Sequence, residues 1–153
     1  MTMRAVAYGV FALIFSAGHS TAGEWRFTGE TTDQAQAIDA TSIRTSGQTK
    51  TFWSVSAYDI LQDEGQDFTI FQERIDCEAQ TLQLLGWVDR RLDDQGYENT
   101  VVEPERAFPI VPESLGWQKF EALCNDVWTS VAAFESARSF ALEYRRILHS
   151  EVL

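Results

Sequence analysis

Within the stretch of residues 71–87, apolar and polar residues alternate with period two around a cysteine. Ile75, Cys77 and Ala79 fall on one parity, and Asp76, Glu78 and Gln80 on the other. Successive side chains of a strand point to opposite faces, so this alternation marks a sheet with one buried face. It predicts a strand that enters and leaves Cys77. The same test predicts strands at residues 24–28 and 34–39, with a kinked continuation at 42–45, and at 50–58. The 50–58 stretch is rich in aromatic and β-branched residues. It sets Trp53, Val55 and Ala57 on one face and Phe52, Ser54, Ser56 and Tyr58 on the other. Ser46-Gly47-Gln48 reads as a turn. Residues 82–91 continue the cysteine strand or fold back as its hairpin partner, before a glycine-containing turn at 93–97. Residues 107–112 are extended, because a proline disfavours helix in the residue before it.

The period then changes. Ser114 is placed to cap a helix carrying Leu115, Phe120, Leu123 and Cys124. Gln118 falls one position late for a capping box. Further on, Val127, Val131, Phe134, Ala137, Ala141, Tyr144 and Leu148 recur at steps of three and four. Such a stripe predicts one amphipathic helix over residues 126–149. Its arginines crowd toward the C-terminal end, where cations suit the helix dipole. The expected fold class is α+β: an antiparallel meander packed against helix, with one disulfide and a long C-terminal helix.

The start of the chain has a different character. Residues 1–4 carry one positive charge, residues 5–17 are apolar, and Ser20-Thr21-Ala22 fits the small-x-small rule for cleavage before Gly23. The expected organisation is a signal peptide at 1–22, an α+β domain at 23–125, and the helix at 126–153 packed on or extending that domain. The apolar run is too short for a stable transmembrane helix, and no second long one follows. Removing Arg4 with the leader takes the formal charge from −11 to −12. Such a surface repels phosphate backbones and anionic headgroups, so nucleic acid is not an expected partner. Cys77 and Cys124 are the two cysteines in the chain. An exported pair is usually bridged, which predicts a disulfide from the central strand to the helix after Ser114; two free buried thiols are the alternative.

Equipment for chemistry is scarce. His149 is the one histidine beyond the leader, and Ser114 lies in Pro-Glu-Ser-Leu-Gly, not in a Gly-x-Ser-x-Gly elbow. There is no Cys-x-x-Cys or histidine-rich metal spacing and no glycine-rich phosphate loop. Residues 63–67 form an acidic loop that lacks the ligand spacing of a calcium site. Asp93-Asp94 would serve a hydrolase only from a cleft, and adjacent acids in a turn are ordinarily just solvated. No metal, cofactor or catalytic residue is expected. Five tryptophans are many for 153 residues, and core filling is their first explanation.

The chain resembles the surface-adhesin protein E domain family of exported bacterial proteins. The likeness rests on Trp25, Asp39 with Ser42-Ile43, Trp53, Asp76-Cys77, Pro112-x-Ser114, Gly116 and Cys124, in that order over residues 24–124. Two positions depart from the family pattern: Glu113 stands where glycine is common, and Phe108 where a tryptophan often precedes this segment. The resemblance implies an antiparallel sheet packed on helix with the two cysteines joined. Adhesive members are described as binding host matrix components through a basic region near the Asp-Cys strand, with dimerisation and haem binding also attributed. Here that region reads Glu73-Arg74-Ile75-Asp76-Cys77-Glu78, which is net acidic, and axial haem ligation would fall to His149 alone.

The expected function is therefore an exported binding domain, non-catalytic, for an unknown protein or small ligand, in the periplasm or on the cell surface. An envelope accessory role through the C-terminal helix, homodimerisation included, is the alternative; a carboxylate hydrolase is the third reading. Removal of the leader predicts an intact mass beginning at Gly23 for the exported protein. A membrane-bound species that still carries Met1 would contradict it.

Overall fold

The computed structural model describes residues 22–59, 66–93, 97–100 and 105–150. The predicted leader, most of the acidic loop at 63–67 and the centre of the turn at 93–97 lie outside them. Within the described residues the strands are β1 (Trp25–Glu30), β2 (Gln34–Asp39), β3 (Arg44–Ser46), β4 (Thr49–Tyr58), β5 (Phe68–Asp76), β6 (Thr81–Arg90), β7 (Tyr97–Thr100), β8 (Phe108–Pro109) and β9 (Ala133–Phe134); the helices are α1 (Leu115–Cys124) and α2 (Ala137–Ser150). The strands make one antiparallel sheet in the order β7-β6-β5-β4-β2-β1-β9, with β3 paired to the end of β4 and β8 to the end of β6. The fold is α+β, with two helices and one disulfide.

Each face of the sheet carries one helix, and strand parity decides which residues meet which helix. Ile38, Phe52, Ile75 and Leu82 point to the α1 side and pack with Phe120 and Leu123. Trp25, Ala35, Ala37, Val55, Ala57 and Phe68 point to the other side and pack with Ala137, Phe140, Ala141 and Tyr144 of α2. β4 is thus covered on both faces, and Phe52 and residues 54–57 are at most 1% exposed. The residues on the α2 side of β2 and β4 are small, which lets the helix lie close; α2 is about 21 Å long at 1.5 Å per residue. α1 also comes close to the sheet: an added Cβ at Gly29 would sit 1.4 Å from Gln118 Oε1. That contact calls for glycine unless the Gln118 amide moves, and it falls at a bulge in the β1–β2 pairing.

Three sequence expectations change. First, the strand does not run through Cys77. β5 stops at Asp76, residues 77–80 turn, and β6 returns as the hairpin partner. The Asp76 carboxylate accepts the Glu78 and Ala79 N–H groups at 3.0 and 2.8 Å, and Gln80 adopts φ +51°. A local side-chain cap therefore overrides the alternation. Second, residues 42–45 do not continue β2: a single 3-10 turn at Ala40–Ser42 intervenes, and β3 then pairs with β4 through a turn at Gly47, where φ is +59°. Third, the C-terminal helix starts at Ala137, not Asp126.

The third correction has a visible cause. Asp126 holds φ +56°, and the Val127 N–H reaches back to the Glu121 carbonyl at 2.9 Å, so the chain reverses at the end of α1. The next residues run along the sheet edge. Thr129 Oγ1 donates to the Thr28 carbonyl at 2.7 Å, and β9 pairs with β1. Val127 and Val131, counted in the helical stripe, are exposed instead. α2 then begins at a reciprocal cap: the Ser139 N–H bonds Ser136 Oγ, and the Ser136 N–H bonds Ser139 Oγ, both at 3.0 Å.

Cys77, in the β5–β6 turn, is joined to Cys124 at the end of α1, with Cα atoms 5.6 Å apart at a sequence separation of 47. Lys50 Nζ also donates to the Leu123 carbonyl, placing a cation on the C-terminal end of the same helix. Replacing both cysteines by alanine should lower unfolding free energy by about 4 kcal/mol, the loop-closure entropy of a span this long. Denaturant unfolding of the oxidised wild type against the double variant measures it, and equal midpoints would show that the bridge does not constrain the unfolded chain.

Candidate functional site

The residues singled out by the sequence motif serve mainly as turn caps and core. Trp25 is buried against α2. Asp39 Oδ1 accepts the Glu24 and Thr41 N–H groups at 3.1 and 3.0 Å and the Thr41 hydroxyl at 2.7 Å. Ser42 Oγ donates to the Asp39 carbonyl at 2.7 Å and accepts the Trp53 N–H at 2.9 Å, which ties the turn to β4. Ile43 packs on the α1-side core. Trp53 is 37% exposed beside Ser42, Arg44 and Gln72. Ser114 caps α1, accepting the Trp117 N–H at 3.1 Å and donating to the Val111 carbonyl at 2.6 Å. Pro112 is exposed just before it. Glu113 holds φ +64°, a left-handed conformation that glycine adopts without strain, so the departure from the family pattern falls on a backbone that favours glycine.

Sequence reasoning missed the polar groups of the α1 face. Glu73, Ser54 and Lys119 converge between sheet and helix. Lys119 Nζ lies 2.6 Å from Glu73 Oε2 and 3.3 Å from Ser54 Oγ, and the Ser54 hydroxyl donates to the same carboxylate oxygen. Lys119 is 3% and Glu73 6% exposed, so both charges are removed from water. Lys119 Nζ also stands 5.9 Å from the centre of the Phe71 ring. Nearby, Gln36 Nε2 donates to Ser56 Oγ at 2.9 Å while its Oε1 is buried without a partner. Tyr58 donates to Thr69 Oγ1 at 3.2 Å, and Thr69 to Asp89 at 2.6 Å. Burial raises the Tyr58 phenol above its ordinary value; the Thr69 bond opposes this and the Asp89 charge adds to it. The signal was present as serines and a glutamate on strand parities, but nothing in the sequence aligned Lys119 with them.

A cleft of about 510 Å³ runs beside α1. Glu73, Lys119 and Gln36 line it together with Ile110, Ser114 and Gly116, and Phe108 and Val111, 45% and 65% exposed, belong to its wall. The cleft is thus largely apolar around an internally neutralised pair. Lys119 and Glu73 bind each other within it.

A second groove, about 500 Å³, lies on the opposite face at the end of α2. Phe27, Phe134, Phe140, Tyr144 and Ile147 supply its apolar wall, and Glu30 and Glu143 stand on it. Burial raises the Tyr144 phenol, and the Asp59, Glu30 and Asp33 charges add to the rise. β2 and β4 end side by side, with the Asp59 N–H on the Asp33 carbonyl at 3.0 Å. Among the described residues no group of three or more His, Cys, Asp or Glu side chains is close enough to hold a metal ion, and no helix is long and apolar enough to cross a membrane.

No protein-family profile and no curated protein matches the chain. Two solved structures do, both of protein E from Haemophilus influenzae. One aligns at a TM-score of 0.50 and 13% identity, over 72% of this chain and 90% of the other. The other, from a non-typeable strain, aligns at 0.47 and 12%, over 77% and 88%. On the first alignment the chain has a protein E-like fold.

The buried pair makes a separable prediction. Lys119→Met leaves the Glu73 carboxylate buried without its cation and should cost about 3–5 kcal/mol, whereas Lys119→Met with Glu73→Leu should recover most of that loss. Denaturant unfolding of the single and double variants checks it. A single variant as stable as wild type would mean that Glu73 reaches water without Lys119.

Proposed function

We propose that the chain is an exported, non-catalytic binding domain of the surface-adhesin E type, whose partner is a protein or small ligand met in the periplasm or at the cell surface. The observation that carries this reading is the protein E-like fold, a two-faced antiparallel sheet that aligns with 90% of the length of a solved protein E. The leader-like residues 1–22 and the Cys77–Cys124 bridge support export, since such bridges persist in oxidising compartments. The closed Lys119–Glu73 pair supports docking over catalysis. The cleft beside α1 and the groove at α2 are the concave surfaces on which a partner would sit.

Docking through the C-terminal helix is the second reading. Ala137, Phe140, Ala141 and Tyr144 face the sheet, so it would use the outer side of α2, where Leu142 and Ile147 are 45% and 44% exposed. Fractionation of the native cells, followed by protease treatment of intact cells and in-cell cross-linking, tests the first reading. The expected result is an oxidised protein outside the cytoplasm with a discrete cross-linked partner. A cytoplasmic protein with two titratable thiols would overturn it.

A further inference from the structure

Among the described residues, two buried side-chain oxygens on the α1 side have no hydrogen-bond partner. One is Gln36 Oε1, whose amide spends its N–H on Ser56 Oγ at 2.9 Å. The other is Gln118 Oε1, which stands over Gly29 in the space a Cβ would fill. Gly29 pairs directly with Gln36 across β1 and β2, so both acceptors share one corner of the α1 side. The buried cation of this side does not serve them, because Lys119 is held by Glu73 at 2.6 Å. Gln36 is 7% exposed and lines the cleft beside α1. A buried amide end with no partner is costly, and a polar group brought in through the cleft would recover that cost.

The rest of the cleft says what kind of molecule could bring it. Leu82, Phe108, Ile110 and Val111 make the wall apolar. The two charges inside, Lys119 and Glu73, cancel each other. A charged ligand would therefore leave water for a site whose counter-ions are already matched. A volume of about 510 Å³ falls within the range of small-molecule pockets.

We propose that the cleft beside α1 binds a small, uncharged, apolar molecule carrying a hydroxyl, with the hydroxyl at Gln36 and the apolar part against Phe108, Ile110 and Val111. This rests on reading the chain as a binding domain and names the ligand chemistry of one of its concave surfaces. A hydroxyl both donates and accepts, and the last torsion of a glutamine is soft. The contact therefore holds whichever end of the amide Ser56 leaves over.

The test uses the whole oxidised protein and three probes: naphthol, methoxynaphthalene and naphthoate, substituted at the same ring carbon. Equilibrium dialysis measures their affinities. Naphthol should bind about fivefold more tightly than methoxynaphthalene, which cannot donate; that is the ratio one neutral hydrogen bond supplies. Naphthoate, anionic at neutral pH, should bind more weakly than either. Gln36→Leu should lose the preference for naphthol over methoxynaphthalene. Phe108→Ala should weaken both neutral probes alike and keep the preference, because it trims the apolar wall and leaves the amide in place. In isotope-labelled protein the assigned Gln36 side-chain amide signals should shift as naphthol is added. Phe108 is exposed, so its variant should melt with wild type. If Gln36→Leu melts early, the Phe108 variant and the amide signals still decide.

Equal affinity for naphthol and methoxynaphthalene in the wild type would overturn the proposal, because the amide would then contribute nothing. So would naphthoate binding as tightly as naphthol, Gln36 signals that stay in place at saturation, or neutral-probe affinities untouched by Phe108→Ala. Failure of every probe to bind would leave water as the occupant of the cleft and end the proposal. If that happens while cells still yield a cross-linked partner, the cleft assignment falls and the binding-domain reading stands. A cytoplasmic, reduced protein removes that reading whatever the cleft binds.

Discussion

Strand β4 lies at the centre of a sheet whose two faces are both covered, and this double burial constrains everything packed around it. A strand with one wet face can carry polar residues there without partners. β4 cannot, because Ser54 and Ser56 are as inaccessible as Val55 and Ala57. Each buried polar group then needs a hydrogen bond, since leaving one unmade costs about 1–3 kcal/mol. Ser54 meets that need through Glu73 and Lys119, and Ser56 through Gln36. The α1 side consequently combines apolar core with a polar network, while the α2 side holds an apolar cluster and the buried Asp67 that pairs with Arg145.

The two helices are fastened by different means. α1 is fixed by the bridge at Cys124, by Lys50 on the Leu123 carbonyl and by the buried ion pair at Lys119. α2 is held chiefly by area: small residues on β2 and β4 admit it, and Phe140 meets Phe134 edge-on at 5.3 Å between ring centres. Arg145 adds one ion pair at 2.7 Å to Asp67, a residue whose other oxygen accepts the Leu92 N–H at 2.6 Å. The open groove at the end of α2 follows from this arrangement. The helix covers the middle of the face, and the β1–β2 turn and the segment before β9 extend past it.

Local chemistry fixed in the sequence was enough for much of this. Alternation located β1, β2 and β4, because a strand repeats its side-chain direction every two residues whatever it packs on. Ser114 marked the start of α1, and the two cysteines behind a leader-like start implied their bridge. The motif residues Asp39, Ser42 and Asp76 were also legible, but as a pattern without a role. Their work as caps emerges only when the N–H groups they accept are placed around them.

What the tertiary structure alone decided involves competition between distant segments. Residues 126–136 carry a helical stripe, yet β1 offers a free edge, and pairing there wins over a helix that Asp126 has already interrupted. Lys119 is one more charged residue on a short helix until the sheet sets Glu73 and Ser54 beneath it. Asp33 and Asp59 look like unrelated acids until β2 and β4 end side by side and the Asp59 N–H meets the Asp33 carbonyl. Sequence spacing carries information about neighbours three or four positions apart. It carries none about which ends of a sheet will lie together, because that depends on the order in which all the strands pair.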